Sequence, residues 1–112
     1  MRRLKAEREY ARMEMLARVF KIFGDPTRLK ILGLLNGGEM NVSMMVERLG
    51  MNQSTVSQCL RSMRECGIVK SKRVGREVRY RLRDEKMGEM MALGEELLTL
   101  MAEEMKKCCL AR

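Results

Sequence analysis

The chain has 112 residues, 46% of them apolar, with 23 Lys and Arg against 15 Asp and Glu and no His, for a net charge of +8. That length supports one domain burying only about two-thirds of its unfolded surface, so help from a second subunit is expected. Without His the Ser-His-Asp triad, the Cys-His dyad and His-based zinc sites are excluded. No apolar run approaches the roughly 18 residues of a membrane span, and the start, Met1 to Arg8, lacks a signal-peptide core, so a cytoplasmic, non-enzymatic protein away from membranes is expected.

From Leu4 the apolar residues Leu4, Ala11, Met15, Val19 and Ile22, with a second row Met13, Leu16, Phe20 and Phe23, predict a helix buried on one side and ended by Gly24. Asp25-Pro26 reads as an N-cap followed by proline at the first helical position. Leu29, Leu32 and Leu35 are the predicted inward face of this second helix, which Asn36-Gly37-Gly38 stops. Asn41 caps a third helix carrying Met44, Met45, Val46 and Leu49 up to Gly50. Asn52 caps a fourth, in which Val56, Leu60 and Met63 face inward and Gly67 closes the end.

After Gly67 the apolar period changes from 3.6 to 2. Ile68 to Lys72 lead to Val74-Gly75-Arg76, and then Val78, Tyr80 and Leu82 alternate with Glu77, Arg79, Arg81 and Arg83, the pattern of a β-hairpin with a basic tip. The last segment, Asp84 to Cys109, is helical again. Its Met87, Met90, Met91, Leu93, Leu97, Leu98, Leu100, Met101 and Met105 outnumber what one small domain can cover, and it is expected to pack with the first helix against a symmetry mate. The thirteen methionines fall at helical spacing in a chain with two Tyr and two Phe, and read as core filler in preference to a soft-metal surface.

The charge is uneven. Residues 1–52, 53–83 and 84–112 carry +4, +7 and −3, so the excess lies in mid-chain, the footprint of a surface that meets phosphates. Helix, Gly50-Met51-Asn52 turn, helix and basic hairpin is the order of a winged helix-turn-helix. The expected fold is therefore mainly α with one β-hairpin, a single domain over 1–112. Terminal helices at about 4–23 and 84–109 form its dimer interface, and the wing spans about 68–83. The fourth helix opens with short hydroxyl and amide side chains, Gln53, Ser54, Thr55, Ser57 and Gln58, with Arg61 one turn further on; these can read base edges in the major groove of a palindromic double-stranded operator. Lys72, Arg73 and Arg76 at the hairpin tip are placed to reach phosphates or the minor groove.

Gly24-Asp25-Pro26-Thr27-Arg28-Leu29-Lys30-Ile31-Leu32, Gln53-Ser54-Thr55-Val56-Ser57, Gly67-Ile68-Val69 and Gly75-Arg76-Glu77-Val78-Arg79-Tyr80-Arg81-Leu82 resemble the ArsR/SmtB transcriptional repressors over about residues 15–98. The resemblance implies a homodimer that sits on an operator and leaves it when an inducer, usually a thiophilic or borderline metal ion, binds. The family's Cys-Val-Cys site on the third helix corresponds to the run Glu39-Met40-Asn41-Val42-Ser43-Met44-Met45, in which both thiols are missing. Its other common site keeps Asp84 but has Lys86, Leu97 and Leu100 where ligands belong. Cys66 with the Cys108-Cys109 pair is similar to a branch that senses cadmium and lead, although that branch's second helix cysteine falls at Ser62; the adjacent pair also resembles a branch that senses arsenite. Three thiolates suit a soft ion, and a dimer could supply Cys66 from one chain and the pair from its mate.

The cysteines have quieter readings too. Cys59 follows Val56 by three and reads as core. Cys66 follows Met63 by three and is open to both readings, buried filler or ligand. The two lie roughly 10 Å apart along the helix and cannot share an ion. Cys108 and Cys109 are either plain exposed thiols near the chain end or ligands. The leading reading is thus a DNA-binding repressor released by cadmium, lead or arsenite on Cys66, Cys108 and Cys109. A repressor of the same fold answering to thiol oxidation or persulfide is the first alternative, and a winged-helix protein-interaction module the second.

Overall fold

The computed structural model describes residues 2–110, and side chains as far as Cys108. Five helices and one hairpin follow one another as α1 (Arg2–Phe23), α2 (Pro26–Leu35), α3 (Val42–Leu49), α4 (Gln53–Glu65), β1 (Val69–Val74), β2 (Glu77–Leu82) and α5 (Lys86–Leu110). Three helix starts are set by short polar side chains in extended backbone. The Asp25 carboxylate accepts the Arg28 N–H at 3.0 Å, the Asn41 Oδ1 the Met44 N–H at 2.9 Å, and the Asn52 Oδ1 the Thr55 N–H at 2.8 Å. Each satisfies one of the amides that a helix start leaves without a partner. Asp84 stands just ahead of α5 and accepts the Lys86 N–H at 2.8 Å, so this helix begins two residues later than its sequence pattern predicts.

The end of α4 is a Schellman turn: the Ile68 N–H reaches the Met63 carbonyl at 2.9 Å and the Gly67 N–H the Arg64 carbonyl at 3.0 Å, with Gly67 at a φ of +81°. The chain leaves this turn directly into β1. The strands pair antiparallel from Val69↔Leu82 to Val74↔Glu77 around the two-residue loop Gly75-Arg76, in which Gly75 takes a φ of +65° and Arg76 does not have a positive φ. That sign pattern belongs to a II′ hairpin turn, whose twist matches its strands.

The core is small. Ile31, Leu32, Leu35, Met40, Met45, Val56, Leu60, Met63, Ile68 and Val69 are buried, drawn from α2, α3, α4, the start of β1 and the segments that flank them. Val56, Leu60 and Met63, at i, i+4 and i+7, are wholly enclosed as their spacing predicts. In α2 the inward face differs from the prediction: Ile31 is buried and Leu29 is exposed, because α2 is apolar on nearly every side and contact with α3 and α4 selects the face. Met44 is likewise exposed while Met45 fills the core.

The two long helices join this core only at the ends nearest to it, Ile22 and Phe23 of α1 and Met87 and Met91 of α5. Within one chain α1 has no buried residue, so its predicted apolar stripe is left open; Phe20 is 55% exposed, and on α5 Leu97, Leu98 and Leu100 are 55, 56 and 79% exposed. Met13, Met15, Met101 and Met105 share this exposure, so they are not filler of the protomer's core as Met45 and Met63 are. The radius of gyration, 17.1 Å, exceeds the roughly 13 Å of a compact domain of about 100 residues, because both helices project from the core. Among the described residues no helix is long and apolar enough to cross a membrane.

The core makes a direct energetic statement. Replacing Leu60 by Ala should lower stability by about 2–5 kcal/mol through lost contacts and a cavity, whereas Met44→Ala on the exposed side of α3 should stay within about 0.5 kcal/mol. Urea unfolding followed by circular dichroism measures both.

Candidate nucleic-acid interface

With Val56, Leu60 and Met63 fixing the back of α4, its opposite face is determined by helical geometry. Gln53, Ser54, Ser57, Gln58 and Arg61 line one shallow depression along that face. Their donors and acceptors, with no acid among them, form the kind of edge that can pair with bases. Thr55 is placed differently. It is half-buried, outside the depression, and its backbone N–H is engaged by the Asn52 cap.

The wing stands beside this helix, linked to it by the Schellman turn and by Arg64, whose Nη1 donates to the Ser71 hydroxyl at 3.4 Å. The register puts Val69, Ser71 and Arg73 with Leu82, Tyr80 and Val78 on one face, and Lys70, Lys72 and Val74 with Arg81, Arg79 and Glu77 on the other. Arg76 lies in the turn, and Arg73 is one rung behind the Val74↔Glu77 pair with its Nε donating to the Gly75 carbonyl at 3.4 Å. Lys72 is further back than its sequence position suggests, on the third rung opposite Arg79, where its Nζ lies 3.3 Å from Glu39 Oε2.

The sequence pattern gives no sign of a third strand, yet Met40 supplies one residue of it. The Met40 N–H donates to the Tyr80 carbonyl at 3.1 Å, and the Tyr80 N–H returns to the Met40 carbonyl at 2.8 Å. On either side of Met40, Glu39 pairs with Lys72 and the Asn41 amide donates to Glu77 Oε2 at 2.7 Å, while Glu77 Oε1 accepts from Arg79 Nε at 2.8 Å. The Asn41 hydrogen bond, and after it that of Arg79, holds the Glu77 carboxyl below its ordinary pKa. The one available signal in the sequence is that Glu77 is the sole acid in the hairpin, among Lys and Arg.

Residues 25–71, from the start of α2 into β1, match the family model described as bacterial regulatory protein, arsR family. An uncharacterized HTH-type transcriptional regulator of Methanocaldococcus jannaschii is 40% identical over 85 residues, covering 75% of this chain and 96% of that protein. The chain belongs to the arsR family of bacterial regulatory proteins. A solved homodimeric winged helix-turn-helix DNA-binding domain from Mycobacterium bovis, described as a possible ArsR-family transcriptional regulator, superposes with a TM-score of 0.73. It is 33% identical, and the match covers 82% of this chain and 85% of that one. A probable mercury resistance operon repressor of Streptomyces lividans is 36% identical over 77 residues, 69% of this chain and 62% of that protein. Membership in the arsR family, together with the winged helix-turn-helix, makes the chain a DNA-binding regulator of transcription.

Cys66 is the C-cap residue of α4 and is exposed, so the buried-filler reading of it does not hold. Cys59 is half-buried against the core. Burial pushes its thiol pKa up, the nearby Asp25 carboxylate adds to that, and Arg28 opposes it. Cys108 is exposed on α5, and the Cys109 side chain lies outside the described residues. Among the described residues of one protomer, no three His, Cys, Asp or Glu come together to hold a metal ion. Cys59, Cys66 and Cys108 are free thiols.

These environments separate the thiols chemically. In reduced protein at neutral pH, iodoacetamide should modify Cys66 and Cys108 well before Cys59, since a raised pKa leaves less thiolate and burial limits access. Peptide mass spectrometry over a time course reads the order.

Proposed function

We propose that this chain is a homodimeric repressor that holds a palindromic operator and releases it when a thiophilic ion binds its cysteines. The observation that carries the DNA-reading half is the single exposed polar face of α4, opposite three wholly buried side chains. In this reading Gln53, Ser54, Ser57, Gln58 and Arg61 meet base edges and nearby phosphates, Thr55 supports the first turn, and Lys72, Arg73 and Arg76 meet the backbone or the minor groove. The chain acts as one domain in the cytoplasm, with residues 68–83 as its wing and α1 and α5 as dimerising arms.

The open apolar faces of those two helices support the dimer, as does their charge: α1 carries seven basic and three acidic residues, and α5 three basic and five acidic. Opposite signs favour α1 of one protomer against α5 of its mate. A two-fold pair of this kind sets its recognition helices about 34 Å apart, the repeat of the major groove.

For the inducer we propose a soft ion of the cadmium, lead or arsenite type held by Cys66 of one protomer and Cys108 and Cys109 of the other. Thiolates are the chain's only soft anionic ligands, and the relative named as a probable mercury resistance operon repressor belongs to the same ion chemistry. A ligand that joins two protomers changes DNA affinity only if it favours the off-DNA arrangement, and a coupling of about 1–3 kcal/mol already gives about 5- to 150-fold.

Two experiments test this. Gln58→Ala should relax discrimination between operator sequences by about 1–3 kcal/mol, while Arg76→Ala should weaken all duplexes alike and shallow the salt dependence by about one; equal loss of specificity in both would sink the division of roles. Under reducing conditions, a Cys108→Ser/Cys109→Ser variant should stay on the operator at concentrations of cadmium, lead or arsenite that release the parent. Full induction of that variant would remove the pair from the sensor, and release of the parent only by oxidant, recovered with reductant, would favour the redox reading.

A further inference from the structure

The wing is gripped from outside the hairpin by three consecutive residues. Glu39 pairs with Lys72, Met40 exchanges two backbone hydrogen bonds with Tyr80, and Asn41 donates to Glu77. An isolated two-stranded hairpin is marginally stable, and this one carries Lys72 directly opposite Arg79, a like-charge pair that pushes its strands apart. Glu39 neutralises one member of that rung and Glu77 the other. The grip therefore acts on one of the hairpin's two like-charge rungs, the other being Lys70 opposite Arg81 nearer the root.

Asn41 has two tasks at once. Its Oδ1 caps α3, the first helix of the helix-turn-helix, and its Nδ2 donates to Glu77 in the rung that closes the turn beside Arg76. One carboxamide thus ties the wing tip to the helix pair that carries the base-reading face. We propose that Asn41 and Glu77 are positioning residues for DNA binding: they touch no DNA themselves and set where Arg76 meets the backbone relative to α4. This rests on the DNA-reading assignment above and adds the part that aligns its two contact surfaces.

Two substitutions of opposite charge separate positioning from simple electrostatics. Asn41→Asp keeps a side chain that caps α3 equally well, removes the donor, and sets carboxylate against carboxylate. Glu77→Ala leaves Asn41 and its cap untouched and removes an acid from the DNA-binding side. Charge alone would make the first bind duplex more weakly and the second more tightly. Positioning makes both bind the operator several-fold more weakly, with a salt dependence shallower by about one, as for loss of a single phosphate contact.

The double variant Asn41→Asp/Glu77→Gln exchanges amide and carboxylate across the same contact at unchanged net charge, and should recover parental affinity and salt dependence. Thermal unfolding midpoints, measured in parallel, should stay near the parent's. Tighter binding by Glu77→Ala, parental salt dependence in both single variants, or no recovery in the double variant would each overturn the proposal. Should Asn41→Asp fail to fold, Glu77→Ala by itself decides by the direction of its effect. Absence of salt-dependent operator binding by the parent would instead remove the DNA-reading assignment.

Discussion

The polar face along α4 and the placing of the wing both depend on how α4 is held. Val56, Leu60 and Met63 lose all contact with solvent against α2, α3 and the root of the wing, and three anchors along two turns leave the helix no freedom to rotate. Its other face is then fixed by geometry, and Gln53, Ser54, Ser57, Gln58 and Arg61 come to lie together without a contact among them being required. The same anchoring aims the helix C-terminus. Because Met63 and Arg64 carbonyls accept the amides of Ile68 and Gly67, the turn that ends α4 also launches β1, so helix and wing share one rigid junction.

A core of ten buried residues is enough to hold this junction but not to cover two helices of 22 and 25 residues. The molecule is consequently divided into a packed centre and two arms whose apolar rows lie open in a single chain. This division explains the uneven fate of the methionines: those at the centre are core, and those on the arms wait for a second surface. The same division separates the thiols, with Cys66 at the central junction and Cys108 on an arm.

The wing follows a different logic, since it has little buried apolar surface of its own beyond Val69. Polar contacts from residues 39–41 take the place of packing there. Basic side chains stand on both strands, opposite one another at Lys70 and Arg81 and at Lys72 and Arg79, and acids reach only the second of these rungs, from Glu39 and Glu77. A basic surface of this kind can serve polyanion binding while its strands stay together.

The sequence by itself determined the order of elements, the caps at Asp25, Asn41 and Asn52, the stops at Gly50 and Gly67, the hairpin with its Gly75-Arg76 turn, and the inward row of α4. Each of these rests on a short-range interaction: a side-chain oxygen reaching an amide three residues on, a backbone angle favoured at glycine, or an apolar period read within two turns. The tertiary structure decided the rest. Leu29 and Ile31 are both apolar within a helix that is apolar nearly all round, so only the neighbours α3 and α4 could choose between them. Met40 and Tyr80 are forty residues apart, and nothing local marks two residues for pairing when their meeting depends on how three helices pack. Cys66 follows the buried Met63 by three, yet it is the last residue before Gly67 turns the chain, and at this end of α4 the core no longer covers that side of the helix.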